Sequence, residues 1–257
     1  MTPRVVAHGP LVPAGPSTGV VVHASASVVY VEWSGRDLLT AVHDDRHGRS
    51  PWSVTVAGIG PLDTWARGGD VAAVRAGRLR VGRLVVGLGP PNGPAVRPSV
   101  NRPSWDPAQA SRALRGRAPD ALTAAFARAG IAGPAWLDRA EQLVGRGPGL
   151  TPSGDDVLTG ALCAFHRHGA PGLHARLVTV AQDAGLRTTA VGAHQLRAAA
   201  QGWFVEALVD VVDAADPDSL ARVVPVLLGI GATSGADLLA GVVLALDALA
   251  TTRELVP

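Results

Sequence analysis

The apolar residues of this chain change their spacing once, near residue 104, and that change limits the fold more than any other feature. Before it, short β-branched runs recur: Val20-Val21-Val22, Ser27-Val-Val-Tyr-Val-Glu-Trp33, Trp52-Ser-Val-Thr-Val56 and the stretch 79–86. Gly, Pro, Asp and Ser clusters separate them, the signature of antiparallel strands joined by turns. After Trp105 the text becomes Ala- and Leu-rich with helical spacing. Helices are expected over 108–115, 120–129 and 134–144, then roughly over 155–168, 172–184, 189–214, 218–228 and 236–250. Strands first and helices afterwards predict an α+β protein, because a doubly wound sheet would alternate the two. The expected division is a β-rich domain over 1–104 and an α-helical domain over 105–257, joined by a turn-rich connector at 90–98.

A 257-residue chain that is 47% hydrophobic can bury a full core, which excludes intrinsic disorder. All 23 basic residues are arginine, so no lysine Schiff base and no phosphate-loop lysine is available. Residues 1–146 carry 17 Arg against 10 acidic residues, and residues 147–257 carry 6 Arg against 11. Arg75, Arg78, Arg80 and Arg83 alternate with Val, Leu and Gly without interleaved aromatics. That pattern reads as a solvated strand face and counts against a nucleic-acid platform. Cys163 is the one cysteine, expected as a small buried hydrophobe on a helix, so disulfides and multi-cysteine metal sites within the chain are excluded. A reducing cytoplasm is the expected compartment. The start lacks a basic stretch followed by an apolar run, and Asp237 and Asp247 interrupt the most apolar C-terminal stretch, so no signal peptide and no membrane span are expected.

The informative text is Gly145-Arg-Gly-Pro-Gly-Leu-Thr-Pro-Ser-Gly-Asp-Asp-Val-Leu-Thr-Gly160. Its core returns without a gap as Ser234-Gly-Ala-Asp-Leu-Leu-Ala-Gly241. Each copy is followed by an apolar stretch, so two helices begin in the same way. Capping boxes at Ser153-x-x-Asp156 and Ser234-x-x-Asp237 would account for part of the pattern, and Gly160 and Gly241 for close helix approach. Capping needs neither Gly145, Gly147 and Gly149 nor a second carboxylate at Asp155. A glycine-rich turn ahead of a helix suits an anion. Two aspartates there repel a bare anion, so they imply a bridging Mg²⁺ or an anion with amide donors.

The helix expected from 189 opens after Thr188 or Thr189, either of which can cap it, and would carry His194, Gln195 and Glu206 toward the turns. Arg187 and Arg146 are the nearest candidates for a clamp on phosphate or carboxylate. His166, His168 and His174 do not share one helical face and read as a helix end, and the His43 to His47 stretch reads as a solvated turn.

The motif at 149–156, its echo at 234–241 and the β-rich first half together resemble a bacterial family of proteins. That family includes the AllH-type subunit of oxamate carbamoyltransferase. The resemblance implies one subunit among several in the phosphorolysis of oxalurate to oxamate and carbamoyl phosphate. It implies other subunits as partners. On the residues themselves, Asp155 or Asp156 is expected to carry the chemistry, accepting a carbamoyl N–H or holding Mg²⁺. Gly147, Gly149, Thr151, Ser153, Gly154, Arg187, His194, Ser234, Gly235 and Asp237 would bind the substrate. Where the family's second motif carries a His and a Ser before its Ser-Gly, this chain has Ala232 and Thr233. A Mg²⁺-dependent hydrolase and a non-catalytic assembly subunit are the alternative expectations.

Overall fold

The computed structural model describes residues 3–36, 39–44, 49–92, 105–131 and 133–254. The chain is α+β: strands occupy its first part and helices its second. It divides into two compact units, residues 1–96 and 97–257. Most of the connector expected at 90–98, the boundary expected near 104, and Asp45, Arg46 and His47 lie outside the described residues.

The first unit is one sheet. Its strands are β1 (Arg4–His8), β2 (Ser17–Ala24), β3 (Val28–Trp33), β4 (Leu39–His43), β5 (Ser53–Ala57), β6 (Val71–Arg75), β7 (Arg78–Val81) and β8 (Leu84–Gly87). They lie in the order β1-β5-β4-β3-β2-β6-β7-β8, antiparallel throughout except for the parallel pair β4 and β5. Alternation sends Val29, Val31, Trp33, Val42, Val54, Val56, Leu79 and Val81 into one core and leaves Arg75, Arg78 and Arg80 exposed. The stretch 79–86 is two strands, not one: Gly82 turns at φ +55, and a Cβ there would meet the Trp65 carbonyl at 2.7 Å. Asn92 joins the segment after β8 to β1, donating to the Val6 carbonyl and accepting from the His8 amide, each at 3.2 Å. His43 ends β4 as a buried residue with Nδ1 2.7 Å from the Asp44 carbonyl, where a solvated turn was expected.

The second unit contains α1 (Pro107–Arg117), α2 (Pro119–Ala129), α3 (Ser153–Arg167), α4 (Pro171–Gln182), α5 (Ala190–Ala200), α6 (Glu206–Asp213), α7 (Pro217–Leu228) and α8 (Ser234–Glu254). Pro217 opens α7 behind a capping box of Asp216 and Ser219. Two expected helices change form. The stretch Pro134–Leu143 is 3₁₀ and bends at Arg139. The single helix expected over 189–214 breaks into α5 and α6, because Gly202 turns at φ +81. Over Ser234–Thr252, α8 is long and apolar enough to cross a membrane by length and composition, with mean hydropathy 1.5. Of its most apolar window, 67% is buried inside the protein, against α1, α2, α3 and α7 among others, which accounts for that apolarity.

Candidate functional site

Helices α3 and α8 are the two that follow the repeated motif, and they lie side by side. A Cβ on Gly160 would fall 2.0 Å from the Leu238 carbonyl oxygen, and one on Gly241 would fall 2.0 Å from that of Val157. The two contacts are reciprocal across the 81-residue offset of the motif (241 − 160 and 238 − 157). Glycine at both positions is what lets the backbones approach so closely. Thr151 meets Ser234 ahead of that crossing, with their hydroxyl oxygens 2.9 Å apart. Thr151 meets Ser234 at the helix starts and Gly160 meets Gly241 further along both helices, so their N-termini share one end. The positive ends of two helix dipoles therefore converge there.

The turns that bring the chain to this end are exposed. Gly145, Gly147 and Gly149 take φ of +71, +107 and +99, the left-handed region that favours glycine. Gly154 and Gly235 serve close approach instead: a Cβ on either would stand 1.9 Å from a carbonyl oxygen, of Leu143 and Leu227 respectively. Their amides donate to Arg146 O at 2.8 Å and to Ile230 O at 3.0 Å. The amides of Asp155 and Asp156 both donate to Pro152 O. The Gly154 and Gly235 amides are thus used within the protein. The capping box expected at Ser153 is also absent, since Pro152 is the cap residue and no side chain caps α3. The Ser153 side chain is buried, with the Cβ-less face of Gly147 about it.

The two adjacent aspartates have different employment. Asp155 is buried and holds the site together: Oδ1 accepts the Gly145 amide at 2.8 Å and Oδ2 accepts the Thr188 hydroxyl. Burial raises its pKa, and those two hydrogen bonds oppose the rise. Thr189, as anticipated, caps α5 by accepting from Gly192 at 2.9 Å. Asp156 is 1% exposed, and its Oδ1 accepts from Gln195 Nε2 at 2.7 Å. Its Oδ2 has no hydrogen-bond partner among the described residues. Burial pushes Asp156 up to about 8 against the opposing pull of Gln195 and of the Ser234 and Thr151 hydroxyls, with nearby Asp237 adding to the rise. Burial thus favours the protonated acid well above the usual carboxylate range.

Asp237, which the motif aligns with Asp156, is 0% exposed and forms an ion pair with Arg128 of α2 at 2.7 Å. The carboxylate reaches α2, not back to its own helix start. No local signal in the sequence marks Arg128, because it lies 109 residues from its partner and reads as an ordinary basic residue in the last turn of α2.

The remaining candidates separate. His194 is buried on α5, not at the surface. Gln195 reaches the turn, as expected of this helix. Glu206 does not. It follows Phe204, whose ring lies 6.3 Å from that of His166, and α6 ends at Asp213 paired with Arg167. Both contacts are at the C-terminal end of α3, about 20 Å along the helix from the turn. Arg187 is exposed, but its guanidinium donates to the Glu141 carbonyl. Arg146 is exposed with its guanidinium over Gly130. Cys163 is fully buried. Among the described residues, no three His, Cys, Asp or Glu side chains converge as a metal set.

Two hydroxyls at the joint end of two helices, near a buried acid, are groups of the kind that hydrogen-bond an oxygen-rich ligand. A family model described as oxamate carbamoyltransferase subunit AllH matches residues 143–246, so this segment is similar to that family. The matched stretch contains both turns and α3 to most of α8, and none of the β-rich unit. No solved structure matches the chain.

Proposed function

We propose that this chain is a subunit of a carbamoyltransferase that handles a small carboxylate amide, of the oxalurate or oxamate type, with phosphate or carbamoyl phosphate. One observation carries the reading. Within the segment that matches the AllH model, two helix starts converge with the Thr151 and Ser234 hydroxyls 2.9 Å apart over a buried Asp156. The helix ends and hydroxyls hold an anionic oxygen of the substrate. A neutral Asp156 removes the repulsion that two carboxylates would exert on such an anion. Catalysis then consists of positioning and charge stabilisation, with Arg146 and Arg187 beside the turn as exposed cations. Other subunits complete the enzyme.

A Mg²⁺-dependent hydrolase using Asp155 and Asp156 is less well supported. Both oxygens of Asp155 already accept hydrogen bonds, so the pair does not present a chelating set. The test is an assay of the purified chain, alone and with its co-purifying subunits, on oxalurate and phosphate, with carbamoyl phosphate and oxamate quantified. Product is expected, and the Thr151→Val, Ser234→Ala double variant is expected to lose about a hundredfold in rate while staying folded. No product under either condition, and no thermal stabilisation by oxamate, would leave the chain as a non-catalytic assembly subunit.

A further inference from the structure

The way Gln195 holds Asp156 decides where the acid carries its proton. The Gln195 amide nitrogen lies 2.7 Å from Asp156 Oδ1 and 3.3 Å from the Thr159 hydroxyl oxygen. An amide NH₂ only donates, so Oδ1 is the acceptor and the proton of the neutral acid sits on Oδ2. Oδ2 is buried without a hydrogen-bond partner, and the Thr151 and Ser234 hydroxyls both act on this carboxyl. Those hydroxyls are half-buried, bonded to each other, and belong to the two exposed turns and the helix starts they lead into. Each has one proton to give, so the direction of the pair follows from whether the group behind it donates or accepts.

We propose that Asp156, oriented by Gln195, is a positioning residue that sets the direction of the Thr151–Ser234 hydroxyl pair. As a neutral acid it donates from Oδ2 into the pair, which then donates outward to an anionic oxygen of the ligand. As a carboxylate it draws the hydroxyl protons inward, and the ligand is released. This switch rests on the reading of the site as one that binds a small carboxylate.

The charged groups around Asp156 are consistent with one proton moving there. Asp237 faces it from α8, adds to its rise, and is paired with Arg128 of α2. Asp155 on α3 is held by Gly145 and Thr188, and His194 is buried on α5 beside Gln195. Burial places the change at about pH 8.

The experiment is titration calorimetry of the full chain with oxamate, whose charge is constant between about pH 6 and pH 9.5. The wild-type affinity is expected to fall at least tenfold through about pH 8. Asp156→Asn is expected to bind with no such step, because its Nδ2 donates to the hydroxyl pair while its Oδ1 still accepts from Gln195. Gln195→Leu should move the midpoint upward, since the lost donor favours the ionised form. Thr151→Val should remove the step together with most of the binding. A flat wild-type profile, an Asp156→Asn variant that keeps its melting temperature but loses oxamate, or no oxamate binding at any pH overturns the proposal. A pH-dependent oxamate affinity without any turnover would sink the carbamoyltransferase reading and leave the switch standing. Turnover with a flat profile would do the reverse.

Discussion

The two motif copies start their helices alike and end up electrically unlike. Asp156 meets an uncharged amide, Gln195, and burial pushes its pKa up to about 8. Asp237 meets a guanidinium, Arg128, in an ion pair at 2.7 Å. Both carboxyls are buried and each keeps one unpartnered oxygen. The local sequence is shared; the partner is assigned by whichever helix packs across from it, α5 in one case and α2 in the other. A duplicated turn can thus give one acid held by an amide and one held by a guanidinium.

The largest effect should come from removing the partners in turn. Arg128→Met leaves Asp237 as a buried uncompensated charge and is expected to cost about 3 to 5 kcal/mol in urea denaturation. Gln195→Met leaves a neutral acid and is expected to cost about 1 kcal/mol. Equal losses would mean that both carboxyls are in the same charge state. Next in size, Gly160→Ala and Gly241→Ala should each cost about 3 kcal/mol by forcing α3 and α8 apart, since each Cβ would fall 2.0 Å from a carbonyl oxygen. Because the contacts are reciprocal, the two losses should match, and a loss at one position alone would break the pseudo-symmetry.

A separate effect, spread over several pH units, concerns Asp156. The Asp156 value rises from 3.8 to about 8 on folding, so between those values the folded chain keeps a proton that the unfolded chain has shed. This contribution to stability is fully present below about pH 4 and declines as pH rises to about 8, by at most about 1.4 kcal/mol per pH unit. Asp156→Asn should flatten the decline, seen as a smaller difference between melting temperatures at pH 5 and pH 8. Asp155, raised in the same direction, should leave a residual slope.

The split between strands and helices was legible because alternation and helical spacing are short-range patterns that survive in the sequence as residue types. The turn at Gly82 and the break at Gly202 were less so, because a glycine is compatible with continuation and only its observed φ shows that the chain has turned. The duplication at Ser153 and Ser234 was legible as well, as was the service of Gly160 and Gly241 in close helix approach. The roles of Asp155 and Asp156 were not. Adjacent in sequence, they point to different neighbours, one to Gly145 and Thr188 and the other to Gln195. Nor was it legible that the Gly154 and Gly235 amides are used by the Arg146 and Ile230 carbonyls.

The sequence by itself determined the order of strands and helices, the repeated Ser-Gly helix start and the small residues that permit two helices to touch. Those depend on backbone preferences and side-chain size, which act within a few residues. Tertiary structure alone decided that the two starts lie side by side in parallel, that Arg128 reaches Asp237 across 109 residues, and that the Asp156 pKa is raised. Burial and charge pairing depend on what surrounds a group in space, and that is settled only when distant helices have closed over it.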